Sequence, residues 1–392
     1  MRSLLKLLFV FTLLELYLGG GGRVFEIGST TLRILLFFSN IALVGVIYLF
    51  QSKIPTYAIQ ISVAVLCLLI FYVVLGWLNG ASFILIAEDV KPLTYFFSVV
   101  FFSFYIDSEK RVKLLVSLIK KTSISMAVIY IFIQILFYFG KIDFNLFYNY
   151  VNTQLASTEF FFRGNKGLFF YKGFLYMVIG LIFWIHTDNS KFKGLAILII
   201  TTAMILSGTR GLILMFIILY ALFYGLPLLL KLNLKILILT VAVIFGSLFF
   251  FKNIELGNKN LSDSIRMQQI QQVIEQIDPI SLFIGHGFGN GVPIRPVHME
   301  IGYLEVFHKQ GILGLAVWFI FFTILYNAYV REKTYLAIRR ALFLSILFVI
   351  LISLTNPFFN NPIGISLFII SLSVFWKLNQ IGIHPENFQK HK

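Results

Sequence analysis

The chain has 392 residues, 59% hydrophobic and 12% charged, against about 25% charged in an ordinary soluble domain. At about 20 apolar residues per crossing, this composition describes a polytopic membrane protein. It excludes a secreted enzyme, a single-anchor receptor and a soluble nucleotide-binding enzyme.

Apolar segments fall at about 4–18, 32–50, 54–78, 91–106, 112–140, 167–186, 194–207, 211–230, 236–251, 301–330, 340–355 and 361–376. They predict an all-α fold of about twelve transmembrane helices, one polytopic domain over residues 1–392. The first segment has the length of a signal-peptide core. Gly19 to Gly22 runs into Arg23 without a small-residue cleavage site, so it is read as a helix. The one cysteine, Cys67, lies in the third segment and is read as helix packing; a disulfide framework and a thiolate metal site are excluded.

The formal charge of +15 would suggest nucleic acid in a soluble protein, but here the cations follow the breaks between segments. With the N-terminus inside, the inner breaks hold 19 Lys and Arg and 5 acids, and the outer ones 13 and 12. The split of +14 against +1 follows the positive-inside bias, so no nucleic-acid partner is expected and both termini are placed in the cytoplasm. Two outer segments are long, 141–166 and 252–300, and the second is one large late extracytoplasmic loop. The chain shows no internal repeat of the kind that marks many transporters.

Polar residues at the edge of hydrocarbon call for a functional reading. Phe160, Phe161, Phe162 and Arg163, with Phe169, Phe170 and Tyr171, suit either stacking on sugars or an interfacial aromatic belt. Ser207-Gly208-Thr209-Arg210-Gly211 separates two spans. Thr209 is expected to cap the next helix, placing Arg210 in its first turn, where a cation opposes the helix dipole. Free N–H groups and a guanidinium fork converging there suit a phosphate; the competing reading is an arginine snorkelling or paired to a carboxylate.

Residues 262–277 read as a short amphipathic helix capped by Ser262. Arg266, Ile270, Val273 and Ile277 share its apolar stripe, and Gln268, Gln271 and Gln272 lie on other faces. Arg266 then points at the membrane-embedded body, unless it snorkels to lipid phosphate. Gly285-His286-Gly287-Phe288-Gly289-Asn290-Gly291 is no dinucleotide fingerprint, since no strand precedes it; its glycines allow tight folding or close approach to a ligand.

His298 and Glu300, two residues apart at the mouth of a span, offer a general base for a sugar hydroxyl. Glu305 and His308 form a rival pair, and an outer-surface histidine is also an ordinary hydrogen-bonding residue. Six histidines without HExxH-like spacing argue against a metal site. Asn356-Pro357 and Asn360-Asn361-Pro362 break the last two spans, as amides for sugar hydroxyls or simply as a turn.

In this order, SGTRG, Arg266, GHGFG and HMEIGYLEVFHKQGILG resemble the O-antigen polymerase and O-antigen ligase superfamily of bacterial envelope glycosyltransferases. In ligase-like members a His-Asn pair stands nearer the Tyr-Leu, whereas here Glu300 occupies that place; this departure favours a repeat-unit polymerase. The resemblance implies a GT-C-like architecture in the bacterial inner membrane, with an undecaprenyl-diphosphate-linked oligosaccharide as substrate, a chain-length regulator as a further partner, and no cofactor or metal. It implies Arg210 and Arg266 on the diphosphate, Glu300 or His298 as catalytic base, and Arg163, Tyr303 and His308 as further substrate contacts. The alternatives are a ligase with a different acceptor, and a transporter or flippase of lipid-linked sugars. The apolar span centres argue against a transporter.

The charge split places residues 252–300 outside. A cysteine introduced at Asn258 should react with an impermeant thiol reagent on intact cells; labelling only after the inner face is exposed would reverse the topology.

Overall fold

Long apolar runs with few breakers leave the backbone one way to satisfy its own hydrogen bonds in hydrocarbon, and that way is helical. The computed structural model describes residues 2–27, 30–51, 54–151, 153, 159–163, 167–225 and 259–383. The expected ninth span and the side chains of Ser262 and Arg163 lie outside the described residues; Ser262 itself falls within a helix that starts at Lys259, so it is not the N-cap that the sequence suggested.

The helices are α1 (Arg2–Leu18), α2 (Leu32–Gln51), α3 (Thr56–Leu78), α4 (Phe83–Leu93), α5 (Val99–Tyr105), α6 (Glu109–Tyr138), α7 (Phe144–Tyr150), α8 (Phe174–Thr187), α9 (Lys193–Leu206), α10 (Arg210–Tyr220), α11 (Lys259–Gln276), α12 (Pro279–Ile284), α13 (Gly302–Val330), α14 (Leu336–Ile352) and α15 (Pro362–Ile383). Two small antiparallel hairpins add the only described strands, Glu26–Ile27 with Thr30–Thr31 and Phe160–Arg163 with Leu168–Tyr171. Among the described residues, five helices are long and apolar enough to cross a membrane: Leu32–Phe50, Thr56–Leu78, Glu109–Tyr138, Gly302–Val330 and Pro362–Gly382. Shorter apolar helices cover 174–187, 193–206 and 210–225.

The centre of the bundle is α8, buried without interruption from Phe174 to Phe183. It packs on α6, α9 and α14, while α15 packs on α13 and α14. The outer helices turn large apolar side chains outward, among them Leu49, Phe50, Leu78 and Phe319, as a lipid-facing surface requires. Between α1 and α2, Arg33 Nε lies 2.8 Å from Glu15 Oε2, both side chains 3% exposed.

Several expectations change. The fourth apolar segment is not one helix, because α4 gives way to a 3-10 turn at Thr94–Ser98 before α5; Pro92 near the end of α4 cannot extend an α-helical ladder. Cys67 is exposed rather than packed between helices. Phe169, Phe170 and Tyr171 are buried, and Phe160 stacks on Tyr171 with ring centroids 4.8 Å apart, so these rings pack on one another.

The change that matters most is in the segment 301–330, which is not continuous. Gly311 has φ 63° and ψ −165°, dividing α13 into a polar first part and an apolar second part. Such a break frees carbonyls that must be answered. Those of His308, Lys309 and Gln310 accept from His286 N at 3.0 Å, Gly287 N at 2.9 Å and the Tyr72 hydroxyl at 2.8 Å. The Gly-rich stretch is therefore inserted between α3 and the break. A side chain at Gly287 (φ 80°) would stand 2.1 Å from Gly76 N, so only glycine fits.

A Cβ at Gly311 would lie 2.4 Å from the Phe283 carbonyl carbon. Gly311→Ala should therefore destabilise by about 1–3 kcal/mol, read as a lowered unfolding midpoint in detergent. An unchanged midpoint would mean that α13 straightens at no cost.

Candidate active site

Two charged clusters meet where α10, α11, α13 and the α14–α15 turn converge. The outer one is built on arginines. Arg210 opens α10, and the carboxylate of Asp263 acts on it electrostatically. Asp263 Oδ1 is also 3.2 Å from Arg266 Nη1, so one carboxylate links the two arginines. Arg266 Nη2 also reaches the Thr355 carbonyl at 3.5 Å, and a Cβ at Gly211, next to Arg210, would stand 3.6 Å from the Thr355 hydroxyl. Glu300 completes the cluster, with Oε2 3.1 Å from Arg266 Nε and Oε1 2.8 Å from Arg295 Nη2.

α11 docks by a more polar stripe than its periodicity suggested. Gln269 and Val273 are buried beside the half-buried Arg266, whereas Ile277 is exposed. Gln269 Oε1 accepts from Glu300 N at 2.9 Å, and Gln272, expected on another face, accepts from Ile294 N at 3.1 Å. Two backbone donors of the loop are thus held by α11 amides, which fixes the course of the chain into His298.

The inner cluster is buried. Asp89 projects from α4, a helix capped by Ser82, and faces Lys309 with Nζ–Oδ1 at 2.7 Å. Lys309 Nζ is also 2.8 Å from Glu305 Oε1 and donates to the Val297 carbonyl. Asp89 Oδ2 accepts from Gly289 N at 2.7 Å, and Glu305 Oε2 accepts from Asn360 Nδ2 at 3.0 Å. Burial pushes the Asp89 carboxyl above its ordinary range, against the downward pull of Lys309. His298 stands over this group, its Nδ1 3.2 Å from Glu305 Oε1 and 3.7 Å from Asp89 Oδ1. The ring is 47% exposed while both carboxylates are buried. A neutral ring that donates its Nδ1–H to Glu305 would carry its lone pair on Nε2. A narrow cleft lined by Asp89, Phe288, His298, Glu305, Lys309 and Asn360 leaves about 20 Å³ of open space.

A curated protein described as an O-antigen polymerase, from Shigella flexneri, is 30% identical to this chain over 398 residues, spanning 99% of the chain and 98% of that relative. The chain belongs to the O-antigen polymerase family. No family model and no solved structure matches it. Membership makes it a membrane protein of polysaccharide biosynthesis, and the polar residues of this O-antigen polymerase family member can be sorted accordingly.

Of the residues expected to carry function, Arg210, Arg266, Glu300 and His298 are brought together at one end of the bundle. Glu305 and His308 are buried: the rings of His308 and His286 meet at a tilt with centroids 4.5 Å apart, and the hydrogen bonds of Glu305 go to His298, Lys309 and Asn360. Tyr303 gives its hydroxyl to the Ile350 carbonyl at 2.8 Å and stacks on Phe359, which marks it as packing. Thr209 precedes α10 but makes no cap with its side chain; its hydroxyl is 3.4 Å from the Ser207 carbonyl. Asn361 caps α15 by accepting from Ile363 N at 3.0 Å, a turn role, whereas Asn360 belongs to the inner cluster. Sequence reading missed Asp89, Lys309 and Arg295. The available signal was an acid inside the run ILIAEDV, and a lysine one turn after Glu305 at the start of an apolar span.

Proposed function

We propose that this protein polymerises lipid-linked polysaccharide repeat units, moving a growing glycan from a polyprenyl diphosphate to a sugar hydroxyl of the incoming unit on the outer face of the inner membrane. The observation that carries this reading is the placement of His298, oriented by a buried carboxylate, beside a cluster containing Arg210, Arg266 and Arg295. A donor without nucleotide needs an anionic leaving group held by protein cations, and guanidiniums match phosphate geometry.

The hydroxyl oxygen of the acceptor attacks the anomeric carbon of the donor, and its proton passes to His298 Nε2. The bond from that carbon to the diphosphate breaks with its electron pair on the leaving oxygen. Preplaced guanidiniums of Arg210 and Arg266 stabilise the charge that builds there. Glu305 holds the ring and stabilises the imidazolium, the role of the carboxylate in other acid–histidine pairs. Glu300 is a less suitable base than the sequence suggested, because each of its oxygens faces an arginine. It acts instead as the resident counter-ion that the donor diphosphate replaces on Arg266.

The purified protein incubated with a lipid-linked repeat unit should produce a ladder of oligomers and release polyprenyl diphosphate. A single transfer to a different acceptor, with no ladder, would favour the ligase alternative.

His298→Gln should slow turnover by about 10²-fold or more, while Glu300→Gln stays within roughly 10-fold. The opposite ranking in single-turnover assays would return the base to Glu300.

Arg210→Lys and Arg266→Lys should each lose most activity at matched protein level, since an ammonium cannot reproduce a bidentate fork. The double variant should fall far short of additivity if both act on one diphosphate. Near-wild-type polymer from either single variant would reduce that arginine to an interfacial anchor.

A further inference from the structure

Asp89, His298 and Glu305 each present an oxygen or nitrogen within 4.8 Å of the others, the spacing at which a cation is held. The Lys309 ammonium occupies that centre, 2.7 Å from Asp89 Oδ1 and 2.8 Å from Glu305 Oε1, with Val297 O as its third acceptor. An ammonium has three protons, so none is left for substrate, and the side chain is 3% exposed. Lys309 therefore cannot be another phosphate ligand. Its position two residues before the Gly311 break, with its own carbonyl held by Gly287 N, fixes the backbone that carries it.

Two carboxylates at one buried site do not both stay ionised without a counter-charge. Asp89 and Glu305 with Lys309 sum to one net negative charge. Without the ammonium, the two acids would share a proton with each other or with the imidazole. The titratable groups around His298 are Asp89 from α4 and Glu305 and Lys309 from α13. His308 and His286 interact with one another beside Lys309, and Arg295 and Glu300 pair in the outer cluster.

We propose that Lys309 is a positioning residue, a tethered cation that balances Asp89 and Glu305 beneath His298 so that the ring is presented as a neutral base with Nε2 outward. Asp89 is its second anchor, contributed by an early helix to a late site. The proposal rests on His298 being the base, and the variants are chosen to separate the two ideas.

The test is the pH–rate profile of polymerisation by the full chain in lipid nanodiscs, for wild type, Lys309→Met, Asp89→Asn, the double variant and His298→Gln. Lys309→Met should cut kcat at least 10-fold, with KM for the lipid-linked unit changing by less than about 3-fold. Its acid limb should move up by on the order of one pH unit, because two uncompensated carboxylates favour the imidazolium. The double variant, restored to one net negative charge, should recover several-fold over Lys309→Met, with the limb back near its wild-type position. A wild-type kcat and profile in Lys309→Met overturns the proposal, as does a double variant no better than that single one. Should Lys309→Met fail to fold, Lys309→Arg decides: kcat falls while the acid limb stays in place, and a displaced limb overturns the proposal. Full turnover in His298→Gln sinks the reading of the base itself; loss there with an unaltered Lys309→Met sinks only the role of Lys309.

Discussion

A helix interrupted inside a membrane protein must find partners for the carbonyls it releases, and the break at Gly311 organises this end of the molecule. Three successive carbonyls turn toward α3 and the Gly-rich stretch, and each receives a donor. That docking brings Gly289 N to Asp89, threads the following loop over α11, and delivers His298 above Glu305. A continuous α13 would point Glu305 and Lys309 along a regular helix face and leave the loop nothing to hold.

The two charged clusters differ in solvent, and so in what they can do. The outer arginines and Glu300 are partly exposed, where an ion pair is worth little and exchanges partners readily. Such a pair suits the proposed reading, in which this surface releases its own carboxylate to accept a diphosphate. The inner group is nearly dry, and removing one member of a buried pair leaves an uncompensated charge that costs several kcal/mol. It holds a fixed geometry.

Much of this was legible in the amino-acid sequence, for definite physical reasons. The apolar runs showed where helices lie, five of the described ones long and apolar enough to cross a membrane, because hydrocarbon imposes length and composition. SGTRG and the docking of Arg266 were readable because a cation beside apolar neighbours is unusual there. Other features were hidden. Gly311 sits in a run whose composition is that of an ordinary span, and its φ depends on contacts with Phe283 and Gly285. Asp89 looked like one more acid in a short break, since its partner Lys309 lies 220 positions away. Glu300 looked like a base by proximity to His298, and only the positions of Arg266 and Arg295 reveal its engagement.

That separation also bears on biosynthesis. A lysine entering the bilayer alone is penalised by about 2.5–3.5 kcal/mol, and the first part of α13 carries Lys309 together with Glu305 and His308. Because α4 precedes α13 in the chain, the carboxylate of Asp89 is synthesised before the lysine that it pairs with. The same contact that shapes this end of the bundle thus gives the late polar helix a partner made in advance, and ties the first part of α13 to a helix from the N-terminal part of the chain.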